Sequence, residues 1–186
     1  SGNSKALERL DNIRDGFTTA MNKKMEHMWT KKLGLIRYDA SLVNEMLQLM
    51  VYSKVDYTIF FRKLSNIPNK LADLKDSFYL PSSEQIDNKW RNWLQRWRAQ
   101  VINRGDQSKI SAEMKLINPK YTWREWLIAP AYEKAETGDY SLIKELQAVL
   151  NKPYEEQSLE AQKKYDRLKP KEFFGAGGVS HYSCSS

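Results

Sequence analysis

The stretch "IDNKWRNWLQRWRAQV" at 86–101 spaces Ile86, Trp90, Trp93, Leu94, Trp97 and Val101 so that all six share one face of a 3.6-residue period. Three indoles on a single stripe form a seam that other elements must cover. The segment therefore predicts a packed helix. The same steps of three and four recur along the chain. They link Leu10, Ile13, Phe17, Met21, Met25 and Met28 in a long first helix from Ser4 to about Lys32. They recur in Leu42, Val43, Met46, Leu47 and Met50, and again in Tyr57, Phe60, Phe61 and Leu64. Ile110 and Met114, then Trp123, Trp126 and Leu127, then Leu142, Ile143, Leu146, Val149 and Leu150 continue the pattern. No segment alternates as a half-buried strand would, and no period of 20–50 residues repeats. The predicted fold class is all-α: a multi-helix bundle of seven to nine helices over residues 1–170, with an irregular C-terminal tail at 171–186.

Boundary residues agree with this division. Gly34 in "KKLGL" and Gly138 are placed to take left-handed C-terminal conformations. Asp39 or Ser41, Asp56, Asp106 or Ser108, and Thr122 are candidate N-caps, and "SSEQ" reads as a capping box of Ser82 with Gln85. The stretch around Leu71, Leu74 and Phe78 and the segment 158–168 carry weaker helical signals. Pro130 lies inside a predicted helix and removes one backbone donor there, which predicts a bend near Trp126.

Thirty Lys and Arg residues against 23 Asp and Glu give +7 and a pI near 9.3, with mean hydropathy −0.70. The signs are interleaved, which describes a solvated helical surface. No apolar run approaches the roughly 20 residues of a membrane span, and the opening "SGNSKALERL" lacks a secretory pattern. The missing initiator methionine suggests an excised or processed chain. A single cysteine points to a reducing compartment, the cytoplasm in a bacterium or the mitochondrion in a eukaryote.

Several local patterns invite chemistry. "KWRNWLQRWR" offers Trp90, Trp93 and Trp97 as stacking platforms with Arg91, Arg96 and Arg98 to follow phosphates, the basis of an alternative reading as a nucleic-acid-binding module. The competing reading, an aromatic core seam flanked by arginines, needs no ligand. "FFGAGGV" at 173–179 lacks the strand, helix and lysine of a phosphate loop and reads as a hinge. "RGD" at 104–106 coincides with a glycine helix stop. Asp139 and Glu145 suit caps and solvated faces. His27, His181 and Cys184 lack the spacing of a zinc site, and no catalytic, cofactor-binding or metal residues are assigned. Cys184 with His181 as a thiol enzyme would need a fixed geometry that a tail does not supply.

Read together, "NPKYTWREWLIAPAYEKAETGDYSLIKELQAVLNKPY", "KKLGL" at 31–35, "DYTIFFRKLS" at 56–65 and the terminal "SCSS" resemble, in order, the C-terminal region of the selenoprotein O family. Members resemble protein kinases, bind ATP with divalent metal, and transfer AMP to Ser, Thr or Tyr hydroxyls of proteins. The resemblance implies that ATP and Mg2+ sit in a kinase-like core upstream of everything matched, which is the expected partner of this chain together with the parent's protein substrates. No membrane or nucleic-acid partner is expected. It also implies that Cys184, at the position of a terminal selenocysteine or cysteine, is a redox-regulatory residue whose partner thiol lies outside this sequence. Glu125 departs from the family's usual Asn, and the segment 153–178 diverges.

Overall fold

The computed structural model describes residues 2–175, with side chains from Lys5 onward. Eight α-helices form among these residues: α1 (Gly2–Lys32), α2 (Ala40–Tyr52), α3 (Tyr57–Leu64), α4 (Glu84–Ile102), α5 (Gln107–Ile117), α6 (Glu125–Glu136), α7 (Ser141–Leu150) and α8 (Leu159–Tyr165). Leu71–Ser77 and Lys171–Phe173 are 3-10 segments, and the described residues contain no strand beyond one isolated bridge between Val55 and Phe78. The all-α architecture is as expected.

The tryptophan seam of α4 is the central column. Trp90, Trp93 and Trp97 are fully buried. Trp93 stacks on Trp97 at 6.0 Å and meets Trp90 edge-on at 5.6 Å. Buried indole N–H groups need acceptors, and each finds one on a different part of the chain. Trp90 donates to Ser53 Oγ at the end of α2 (2.9 Å), Trp93 to the Leu42 carbonyl at its start (2.8 Å), and Trp97 to the Leu33 carbonyl just past α1 (2.9 Å). Around this column Leu42, Met46, Phe60, Phe61, Leu64, Leu74, Ile110 and Met114 close one core. A second, smaller core joins Tyr121, Ala131, Leu146, Val149 and Tyr165 under α6, α7 and α8.

Caps follow local chemistry. Asp39, Asp56 and Asp106 accept from the first-turn amides of α2, α3 and α5 at 2.9, 3.0 and 2.8 Å, and Gly34 and Gly138 take φ of +64° and +86°. Two expected caps are corrected. Ser83, not Ser82, caps α4, because Ser82 turns its hydroxyl to Lys75 and Asp87 instead. Thr122 does not cap α6, which begins after Arg124 without a side-chain cap; its hydroxyl lies 3.3 Å from that of Thr58. Pro130 is accommodated inside α6.

Candidate docking interface

Residues 5–27 of α1 are exposed throughout, and the helix enters the bundle in its last turn and a half, from Met28 to Lys32. At 1.5 Å per residue the exposed part is about 35 Å long. The stripe read as a core face is therefore uncovered: Leu10, Ile13, Phe17 and Met21 are each more than half exposed, and Met25 is 43% exposed. Contiguous exposed apolar rows of this kind are a common feature of interaction faces. Among the described residues nothing covers this part of the helix.

The stripe continues inward to a cation. Lys32 lies four residues beyond Met28 on the same face and is only 8% exposed. Its ammonium sits 4.4 Å from the Phe61 ring centroid and 5.0 Å from that of Tyr57, the two rings being 4.6 Å apart. Burial lowers its pKa to about 8. Tyr57, expected in the core, is 45% exposed beside it, and Trp123, expected at a helix start, is 68% exposed one residue beyond Thr122.

The smaller core is fastened to the main one by charge. Arg124 grips Asp56 with both guanidinium nitrogens, at 2.7 and 3.1 Å, while Tyr79 donates to the same carboxylate at 3.1 Å. Arg62, buried in α3, donates to the carbonyls of Lys115, Asn118 and Tyr154 at 3.1, 3.2 and 3.0 Å and to Glu156 at 2.7 Å. Lys120 reaches Glu156 and Gln162, with Asp166 at 3.6 Å. Burial pulls the Glu156 carboxyl up, but hydrogen bonds from Lys120 and Arg62 outweigh it and hold the group below its ordinary value. Asp166 goes the other way: burial raises it, and Lys120 and Arg124 offset only part.

The sequence-derived candidates divide clearly. The α4 tryptophans lie in the core, so the nucleic-acid reading loses its stacking platform. Their neighbouring arginines are engaged within the chain: Arg91 with Glu84, Arg96 with Glu45, and Arg98 with the carbonyls of Ile67 and Pro68. In "RGD", Arg104 pairs with Glu113, Gly105 turns at φ +118°, and Asp106 caps α5. Asp139 accepts from the Ser141 amide at 2.9 Å, and Glu145 pairs with Lys164. Glu125 is exposed in the first turn of α6. Cys184 and His181 lie outside the described residues, and no group of three metal-ligating side chains comes together among the described ones. No described helix is long and apolar enough to cross a membrane. Sequence reasoning missed Lys32 and the Arg62 and Arg124 clamps. Lys32 left a signal, a charge on an apolar stripe; the clamps join residues 53 to 94 positions apart and left none.

Comparison with known proteins supplies the wider frame. The family profile described as "Protein adenylyltransferase SelO" matches residues 5–151. The chain is similar to the protein nucleotidyltransferase YdiU of Flavobacterium johnsoniae, 32% identical over 194 residues, covering 96% of this chain and 36% of that protein. The YdiU of Pseudomonas aeruginosa PAO1 is 39% identical over 160 residues (81% of this chain, 32% of the relative), and that of Pseudomonas fluorescens SBW25 is 40% identical over 124 (64% and 24%). This sequence thus spans about a quarter to a third of the length of such relatives. With most of its length matched by the family profile, the chain belongs to the SelO family.

Proposed function

We propose that this chain is the C-terminal helical part of a protein adenylyltransferase, a scaffold that docks through α1 onto a kinase-like catalytic region located upstream in the parent protein. The observation that carries this reading is the uncovered apolar stripe from Leu10 to Met25, in a chain whose relatives extend well beyond what it matches. ATP and Mg2+ are held by the upstream region. There a Ser, Thr or Tyr hydroxyl of a protein substrate attacks the α-phosphorus of ATP, gains AMP and releases pyrophosphate. The present chain contributes packing rather than nucleotide contacts. Its terminal Cys184 is a redox switch in this account. Thiol–disulfide exchange with an oxidised small disulfide, followed by attack of an upstream thiolate, joins the two segments and releases the small thiol.

The test is AMP transfer from labelled ATP and Mg2+ to an acceptor protein. The chain alone is inactive and the full-length parent is active. Transfer by the chain alone overturns the scaffold role. On a non-reducing gel of the oxidised parent, a Cys184→Ser change abolishes a compact, dithiothreitol-sensitive band; persistence of that band removes the cysteine from the account.

A further inference from the structure

Lys32 ends the α1 stripe, and among the described residues no carboxylate balances its charge. More than nine-tenths of the residue is buried. No carboxylate of the described residues lies within ion-pairing distance, and burial pulls its pKa down. The ring faces of Phe61 and Tyr57 attract an ammonium, but they replace only part of the hydration lost. The helix C-terminus favours a cation there, and exposed Lys31 answers that need without burial. The Tyr57 ring, 5.0 Å from the ammonium and 45% exposed, borders the surface beside it. From Lys23 to the end of α1, Lys23, Lys24, Lys31 and Lys32 face only Glu26 in opposition.

We propose that Lys32 is the anchor of the docking interface, fixed against Phe61 and Tyr57 to receive an Asp or Glu carboxylate of the upstream catalytic region. The inference rests on the docking reading above. It adds the chemistry of the partner surface: an apolar groove for Leu10 to Met25, with an acid at the end that meets Lys32. A lysine whose ammonium already rests against two ring faces presents its remaining N–H donors to that acid at little further entropic cost, since its rotamer is fixed.

Two measurements test it. The first compares thermal midpoints of Lys32→Met in the isolated chain and in the full-length parent. Met keeps the apolar stem and its contact with the rings. In the isolated chain the midpoint stays the same or rises, because a desolvated charge is removed. In the parent it falls, because the acid is left unpaired, and Lys32→Arg retains most of the wild-type value. A fall in both contexts, or in neither, overturns the anchor. The second treats the full-length parent with a carbodiimide, which joins an amine to a contacting carboxylate without a spacer. Mass spectrometry then finds an amide between Lys32 and an upstream Asp or Glu. Cross-links upstream from Lys23 or Lys24, with Lys32 unlinked and open to acetylation, overturn the anchor and leave the docking reading standing. No cross-link from any α1 lysine, with α1 as solvent-exposed as in the isolated chain, overturns both.

Discussion

Gly34 ends α1 at φ +64°, and a Cβ added there would lie 2.6 Å from the Met114 sulfur and 3.1 Å from Ile110. Gly34→Ala thus meets backbone strain and crowding in one step, with an expected loss of roughly 2 kcal/mol in urea unfolding of the isolated chain. Lys32 makes a different prediction, in pH. Its folded pKa, about 8, lies below the ordinary 10.5. Between those values the unfolded chain binds more protons than the folded one, so Lys32 makes stability rise as pH increases from about 8 and adds nothing further above 10.5. Facing it, Tyr57 is pushed up by burial and opposes the trend once the unfolded tyrosine ionises near 10. The measurement is the wild-type stability minus that of Lys32→Met, from pH 7 to 9.5, which removes the tyrosine contribution. The difference rises with pH; a flat difference means that Lys32 titrates normally.

The helices themselves were largely legible, because a 3.6-residue apolar period and an Asp before it are local signals. Asp39, Asp56 and Asp106 stand where such signals put them. Ser82 and Thr122 do not cap because each turns its hydroxyl to another side chain, Asp87 five residues on and Thr58 64 residues back. The α1 stripe shows the deeper limit. Periodicity says that Leu10, Phe17 and Met21 share a face, but not what covers it. For α4 the cover is the rest of this chain; for α1 none is present among the described residues. Substitutions that would be ruinous in a core are consequently harmless here. Phe17→Asp with Met21→Asp shifts the unfolding free energy of the isolated chain by no more than about 0.5 kcal/mol, the range of ordinary surface changes. Trp93→Ala, in the α4 seam, costs about 3–5 kcal/mol by the same assay. A large loss from the α1 pair would show that the stripe is covered within the chain.

Two cores share one chain, and buried ion pairs hold them in register. Asp56 caps α3, receives Arg124 and accepts from Tyr79, whose oxygen accepts in turn from the Lys169 amide at 3.2 Å. Arg62 performs the same task from α3 toward residues 115–156. Removing one partner of the Arg124–Asp56 pair, in which both side chains are 9% exposed, strands the other at a cost of about 3–5 kcal/mol. Arg62→Met is expected to release the layer from Tyr121 to Tyr165 first, seen as faster amide exchange in α7 and α8 while the tryptophan core stays protected; uniform loss across both cores would make them one cooperative unit. The proposed scaffold keeps its own shape and offers one long helix that the described residues leave uncovered. The most direct test of that is hydrogen–deuterium exchange over residues 5–27, measured in the isolated chain and in the full-length parent. The account predicts rapid exchange in the first and strong protection in the second, greatest along Leu10 to Met25. Equal exchange in the two would contradict it, because α1 would then have no partner to meet.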